Sequence, residues 1–250
     1  IISSIYNDAA RLIYGEEIDA EVMLIALLAT KDGKPSIAIG TGEPESDNMV
    51  YGYDYDGDGT YKQKHYLKIQ GTDTWDHPDT AKPLKDVQQG TKYLKSIGVL
   101  PRYAMMNSTT FDYLVENEQI KNALITSSGK TVDFTDEATV KEIFTRKTGL
   151  TPIIYDKMYI DYKGETQKFY PDDKVTIIGA GTLGSTYYGV TPEERTLMSN
   201  KNVDVAMLDN RIAIATKTEQ GPPIKTTTSV SQIVLPSYEG IDSTFVLDVK

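Results

Sequence analysis

The stretch AKPLKDVQQGTKYLKSIG, residues 81–98, carries the clearest secondary-structure signal of the sequence. Its apolar positions recur at three- and four-residue steps, so they share one stripe of a helix. They are Leu84, Val87, Leu94 and Ile97, and Thr91 falls on the same stripe. Pro83 suits the first turn of a helix, and Gly98 suits the position just after its end. The stretch therefore predicts an amphipathic helix over residues 83–98.

Predicted helices fill much of the first part of the chain, and predicted strands fill the last part. Residues 4–30 predict two amphipathic helical stretches with an interruption near Gly15, and Ser108 and Thr135 precede further helical patterns as N-caps. Strand-like runs begin at Thr151, Lys174, Val203, Arg211, Ile224 and Ser243. Because helices come early and strands late, without βαβ alternation, the predicted fold class is α+β.

Residues 36–75 predict a long two-stranded arm. Its residues 41–60 contain six acidic side chains and no lysine or arginine. The charge then reverses with Lys62, Lys64 and Lys68. A lone two-stranded ribbon is only marginally stable in water, and this one has too few apolar residues to form its own core. The arm is therefore expected to lie on another chain.

Composition excludes several classes of function. The 250 residues carry a formal charge of -10, which argues against a surface that coats nucleic acid. The absence of cysteine excludes disulfides, thiolate zinc sites and thiol nucleophiles. The longest apolar run, residues 22–29, is far shorter than the roughly 20 residues that span a bilayer. No nucleophile elbow or paired zinc-binding histidines are found, so no catalytic residue is predicted and the chain is expected not to be an enzyme.

The run GAGTLG, residues 179–184, has the G-x-G-x-x-G spacing of a dinucleotide-binding turn. It follows a strand-like segment, and Gly179, Gly181 and Gly184 would be the cofactor-binding glycines. The motif needs a helix next, whose N-terminus faces the pyrophosphate. The residues that follow, STYYGVTPEE, are poor helix formers. We expect a glycine-rich loop and no cofactor. An NAD(P)-dependent oxidoreductase is kept as an alternative, which a helix directly after Gly184 would support.

The run DYDGDG, residues 54–59, reproduces half of a calcium-binding loop. Asp54, Asp56 and Asp58 are candidate cation ligands at the tip of the arm. The twelfth position of the loop, where a bidentate glutamate should stand, is His65, and flanking helices are not predicted. An acidic, glycine-rich turn is therefore the favoured interpretation, and no metal site is predicted.

The chain resembles the major capsid proteins of tailed bacteriophages, specifically the lambda E-like family with the Hong Kong 97 fold. The resemblance begins with EEIDAEVMLIALLATKDGKPSI and YGYDYDGDGTYKQKHYLKI, and continues through TDTWDHPDTAKPLKDVQQGTKYLKSIGVLP and MMNSTTFDYLVENEQIKNAL. A later block, FYPDDKVTIIGAGTLGSTYYGVTPEE, and the segment LPSYEGIDSTFVLDVK also resemble the family. The order and spacing of these pieces carry the likeness over most of the chain.

The resemblance implies how the chain is divided. Residues 1–35 would be an N-terminal helical segment of the peripheral domain, and residues 36–75 the extended hairpin arm that reaches over a neighbouring subunit. Residues 76–98 would contain the long spine helix of the peripheral domain. Residues 99–188 would form the axial domain, and the strands of residues 189–250 would return to the peripheral region.

The resemblance also implies the function. Identical chains would form pentamers and hexamers that close into an icosahedral shell around double-stranded DNA, without reading its sequence. Scaffold, portal and decoration proteins would be further partners, and the shell would assemble in the host cytoplasm as part of the virion. We expect Lys62, Lys64 and Lys68 to meet an acidic surface of the next subunit, and Trp75 to anchor the base of the arm at this inter-subunit contact. An encapsulin-like compartment on the same fold is the second alternative.

Overall fold

The computed structural model describes residues 2–39, 49–54, 57, 59–128, 136–161, 163–197, 203–219 and 221–250. The chain forms two compact units. The smaller consists of Ile1–Leu24 and Gly184–Ser237, and the larger of Ile25–Leu183 and Tyr238–Lys250. Helices and sheets are both present, which confirms the predicted α+β class.

The helices lie mainly in the first 150 residues, as the sequence predicts. They are α1 (Ile2–Leu28), α2 (Thr60–His65), α3 (Pro83–Ser96), α4 (Ser108–Glu116), α5 (Glu118–Ser128) and α6 (Glu137–Thr148). The predicted interruption near Gly15 is wrong, because α1 continues through it. One interior glycine costs a helix only about 1 kcal/mol, which the turns on both sides outweigh. No described helix is both long enough and apolar enough to cross a membrane.

A five-stranded mixed sheet forms the centre of the larger unit. In spatial order its strands are β3 (Tyr66–Lys68), β14 (Thr244–Asp248), β8 (Lys174–Gly179), β4 (Pro101–Met106) and β5 (Thr151–Ile154). The β14 strand runs parallel to β3 and antiparallel to β8, and β4 runs antiparallel to β8 and parallel to β5. The outer pairs of this unit are β1 (Ser36–Ile39) with β2 (Met49–Gly52) and β6 (Met158–Ile160) with β7 (Thr166–Lys168).

The smaller unit contains antiparallel strands. A three-stranded sheet has the order β10 (Val203–Met207), β11 (Ala213–Glu219) and β12 (Lys225–Ser231), and β9 (Thr186–Tyr188) pairs with β13 (Val234–Pro236). A tight connection at Asp209 and Asn210 joins β10 to β11. It is a short 3-10 turn in which Asn210 adopts φ 59°, a left-handed conformation that asparagine tolerates.

The helix α3 covers one face of the central sheet and forms its core. Val87 and Leu94 are fully buried in a cluster that also contains Ile177 and Phe245. The helix approaches the sheet closely at Gly90, where a Cβ atom would lie 2.7 Å from Phe245 Cδ1. The predicted helix over residues 83–98 is thus confirmed, with its last helical residue at Ser96.

The predicted two-stranded arm over residues 36–75 is wrong in its second half. The hairpin ends at Gly52, the helix α2 follows, and β3 belongs to the central sheet. The physical reason is that Tyr61 and His65 are both buried. They are four residues apart, which is the spacing of one face of a helix, whereas a strand would bury every second residue.

The predicted domains differ from the compact units. Residues 76–98, which contain α3, lie in the same unit as residues 99–183, so these two segments share one core. The assignment of segments to peripheral and axial capsid domains stays a prediction.

Candidate functional site

The hairpin of β1 and β2 exposes apolar surface. Ile37 and Tyr51 are directly opposite each other and share one face, and Val50 lies on the other face. Ile37 is buried, but Tyr51 is 40% exposed and Val50 is 65% exposed. The connection between the strands, with Glu43, Glu45 and Asp47, lies outside the described residues. The described part of the hairpin is therefore a two-stranded ribbon with uncovered apolar side chains.

Aromatic residues fix the base of the hairpin to the sheet. The backbone N–H of Tyr53 donates to the carbonyl of Pro35, 2.8 Å away, and closes the open end of the hairpin. The Tyr53 ring is buried against Tyr238 in an edge-to-face contact with centroids 6.5 Å apart. The Tyr238 hydroxyl lies 2.8 Å from Oγ1 of Thr244, the first residue of β14. The hairpin thus leaves the larger unit from a fixed base.

Thr244 is the centre of this base. Its Oγ1 donates to the carbonyl of Ile241 at 2.8 Å, so it must accept from the hydroxyls of Tyr61 and Tyr238. Its own carbonyl lies 2.8 Å from His65 Nδ1. Burial raises the pKa of Tyr61 to about 12, so its hydroxyl keeps the proton that this arrangement requires.

The sequence analysis missed this base cluster. Tyr53, Tyr61, His65, Tyr238 and Thr244 come from segments that are almost 200 residues apart, and no local pattern links them. One signal was available, since Tyr61 and His65 stand four residues apart and a helix would stack their rings. In the structure these two rings are stacked with centroids 5.2 Å apart.

The predicted contact lysines have different environments. Lys62 and Lys64 are exposed on α2, and the stem of Lys62 packs against Gly33. Lys68 lies on β3, where its Nζ is 3.6 Å from Asp248 Oδ2 of the same chain. The contact of Lys62, Lys64 and Lys68 with another subunit stays a prediction.

Asp248 is the buried anion of the central sheet. Its Oδ2 accepts from Lys174 Nζ at 2.7 Å and from the Tyr66 hydroxyl at 2.6 Å. Burial opposes its ionisation, but the hydrogen bonds from Lys174 and Tyr66 and the charges of Lys174 and Lys68 outweigh it, so the pKa of Asp248 is lowered. The carboxylate therefore joins β3, β8 and β14 in its ionised form.

Trp75 lies in the core of its own chain, which corrects the prediction of an inter-subunit contact. Its side chain is 1% exposed, its Nε1–H donates to Asp86 Oδ2 at 3.1 Å, and its backbone N–H donates to the carbonyl of Val249. A side chain this deeply buried has no surface for a neighbouring subunit. It fixes the segment between β3 and α3 instead.

The candidate cation ligands are not brought together in the described residues. Asp54 lies next to the base of the hairpin, just beyond Gly52, and not at its tip as predicted. Asp56 and Asp58 lie outside the described residues. In the part of the chain that the structure describes, no group of three or more acidic or histidine side chains is arranged to hold a metal ion.

The glycine run does not form a dinucleotide-binding turn. The strand β8 ends at Gly179 and the next element after Gly184 is β9, so the required helix is missing and the oxidoreductase alternative is wrong. Gly184 serves close packing, since a Cβ atom on it would overlap the carbonyl of Ser237. Gly181 adopts φ 118°, which side chains strongly disfavour.

The comparison with protein families decides the identity. A family model described as phage major capsid protein E matches residues 45–227. The chain belongs to the phage major capsid protein E family. No protein with curated annotation matches the chain.

Two solved structures are similar to this capsid family member. One is the crystal structure of an E. coli CFT073 prophage protein assigned as a capsid protein, with a TM-score of 0.64 and 15% identity, covering 98% of this chain and 66% of that one. Another is a phage-related protein of Bordetella bronchiseptica RB50, with a TM-score of 0.46 and 11% identity, covering 74% of this chain and 55% of that one. The chain thus spans about two thirds of the length of the E. coli protein and about half of the length of the Bordetella protein. At 15% identity, the first of these structures shows a shared fold alone.

Proposed function

We propose that this chain is the shell-building subunit of a phage head. Copies form pentamers and hexamers that close into an icosahedral shell around double-stranded DNA, which the shell encloses without reading its sequence. The observation that carries the proposal is the capsid family match over residues 45–227. The subunit assembles in the host cytoplasm with scaffold and portal proteins, takes up decoration proteins, and ends in the virion.

The hairpin of β1 and β2 is the element proposed to reach a neighbouring subunit. Its exposed Val50 and Tyr51 support this role, because a two-stranded ribbon gains stability only when its apolar side chains are covered. The tyrosine cluster at its base supports it as well, because a fixed exit direction lowers the entropy lost on docking. In this proposal α3 is the spine helix, residues 1–35, 76–98 and 189–250 form the peripheral region, and residues 99–188 form the axial domain.

Lys62 and Lys64 are proposed to set the register of this contact. They stand on α2, directly beyond an acidic segment of the same chain, so a second copy offers the complementary charge. Exposed ion pairs contribute only about 0–1 kcal/mol each, and their main effect is on orientation and encounter. Repetition of a weak contact over a closed lattice multiplies its effect on assembly.

The test is assembly of the purified chain, followed by size-exclusion chromatography and negative-stain electron microscopy. We expect rings, sheets or closed shells from the wild type. The double variant Lys62→Glu with Lys64→Glu should elute later, as free subunits or small oligomers. The matched control Lys147→Glu with Lys225→Glu changes the net charge equally at exposed positions elsewhere and should assemble.

Two outcomes separate the parts of the proposal. A wild type that remains a discrete monomer or dimer, also when expressed with scaffold, contradicts the shell function. Normal assembly of the Lys62 and Lys64 variant contradicts the register role of these lysines and leaves the shell function standing.

An encapsulin-like compartment differs in its contents, and nuclease-protected DNA of genome length in particles from infected cells would exclude it.

A further inference from the structure

His65 occupies a position where three elements meet. It is one of two histidines in the chain, its side chain is 5% exposed, and it lies between α2, α3 and the 3-10 turn Ile241–Ser243 that precedes β14. Its Nδ1 is 2.8 Å from the carbonyl of Thr244. A carbonyl oxygen can only accept, so Nδ1 carries a hydrogen in both protonation states. The proton that comes and goes is therefore on Nε2.

Two competing partners surround His65 Nε2. The hydroxyl of Tyr93 on α3 lies 3.3 Å away, and Oδ1 of Asp242 on the 3-10 turn lies 3.7 Å away. Neutral Nε2 has a lone pair and accepts from the tyrosine hydroxyl. Protonated Nε2 can only donate, and the carboxylate is the acceptor that carries the opposite charge. The side chain of Asp242 is 82% exposed, so the site exchanges protons with solvent.

The other titratable groups around the imidazole do not replace this pair. On α2, Tyr61 stacks on the ring, and burial raises its pKa to about 12. On α3, burial also raises the pKa of Tyr93, so both phenols stay neutral when histidine titrates. Lys64 of α2 and Asp54 of the preceding loop line the same open cavity of about 490 Å³ and carry opposite charges. From β14 the neutral Thr244 faces the ring.

We propose that His65 is a proton-dependent latch at the base of the hairpin. In its neutral form it ties α2 to α3 through Tyr93. In its protonated form it ties α2 to the 3-10 turn through Asp242, so that acidification exchanges one anchor of the hairpin base for another. This role goes beyond shell assembly and does not depend on it, because all three residues belong to one chain.

The test measures the titration of His65 directly. Hydrogen–deuterium exchange at imidazole Cε1, followed by mass spectrometry of peptides between pH 5 and 9, gives the midpoint for each histidine in free subunits and in shells. Loss of the carboxylate in Asp242→Asn should lower the His65 midpoint, because the protonated ring loses its negatively charged neighbour. Loss of the hydroxyl in Tyr93→Phe should raise the midpoint, because the neutral Nε2 loses its hydrogen-bond donor, whereas the protonated Nε2–H keeps the Asp242 carboxylate as its charged acceptor.

Two controls make the test specific. His77 serves as the internal reference, and its midpoint should stay unchanged in both variants. Glu239→Gln removes a negative charge from an exposed neighbouring position and should leave His65 unchanged. Opposite shifts in the two variants support the latch. An unchanged His65 midpoint in Asp242→Asn, or shifts of the same sign in both variants, would overturn it.

Discussion

Replacement of Asp248 by asparagine is expected to destabilise the larger unit by about 3–5 kcal/mol, because it leaves a buried cation without its counter-charge. The side chain of Lys174 is 13% exposed, and its Nζ lies 2.7 Å from the Asp248 carboxylate, whose own side chain is 7% exposed. Asparagine has nearly the same side-chain size and can still accept the hydrogen bond from Tyr66. The loss of stability therefore reports the missing charge and not a cavity.

The assay is urea unfolding followed by tryptophan fluorescence. The chain has one tryptophan, Trp75, and it is buried in the core of the same unit as Asp248, so the signal reports that unit. The matched control is Glu137→Gln. Its carboxylate lies 2.6 Å from Lys141 Nζ, but the two side chains are 57% and 39% exposed, and the expected loss is only about 0.5 kcal/mol.

The Asp248 carboxylate should also make the free energy of unfolding fall at low pH. Because the folded state lowers the pKa of Asp248, its contribution is fully present above the ordinary aspartate pKa of about 3.9 and is lost as the pH falls through the lower folded value. The asparagine variant should lose this part of the pH dependence. A loss below about 1 kcal/mol for Asp248→Asn, or equal losses for it and Glu137→Gln, would refute the reasoning that burial decides the effect.

Three further substitutions test the packing. Leu94→Ala removes a fully buried side chain from α3 and should cost about 2–5 kcal/mol in the same urea assay. Asn107→Ala removes the N-cap of α4, whose Oδ1 accepts from the Thr110 N–H at 2.9 Å, and should cost about 1–2 kcal/mol in that assay. Gly184→Ala forces the backbone away from Ser237 and should speed amide exchange at Ser237, whose N–H donates across the β9 and β13 pair.

Controls for these substitutions lie at similar sites that lack the contact. Ile97→Ala shortens an apolar side chain that is 44% exposed near the end of α3, and it should cost less than Leu94→Ala. Gly221→Ala adds a methyl group where nothing lies within 4 Å, and exchange at Ser237 should not change. Ser108→Ala leaves the cap oxygen of Asn107 in place. Equal effects of a substitution and its control would contradict the packing argument.

Local sequence patterns predicted the helices and strands in which the buried residues recur at one regular spacing. The helix α3 was predicted within two residues of its observed end, because its apolar stripe faces one sheet and glycine and proline mark its ends. Strands such as β8 and β14 were predicted from short apolar runs. The cap of α4 was predicted one residue late, at Ser108, since asparagine and serine are both good caps and only the geometry shows which one accepts.

Patterns could not predict the elements that depend on distant partners. Residues 61–65 place three polar side chains between Tyr61 and His65 and lead into the apolar Tyr66 and Leu67, which resembles a partly exposed strand until Thr244 fixes Tyr61 and His65 in a helix. Trp75 was expected at an inter-subunit contact because the family resemblance puts it at the base of the arm, but Asp86 supplies the hydrogen bond that lets its indole N–H be buried. In both cases the deciding contact is made by tertiary structure.

The position of β14 in the sheet has a consequence for synthesis. Tyr66 of β3 and Asp248 of β14 are 182 residues apart, and β3 has no other strand partner in the described sheet. At about 5–20 residues per second, a ribosome makes β14 roughly 10–40 s after β3. Until then β3 is an unpaired edge, and the tyrosines that fix the hairpin have no Thr244 to meet. Translation itself thus delays the completed hairpin base, so a nascent subunit cannot present it before β14 has been made.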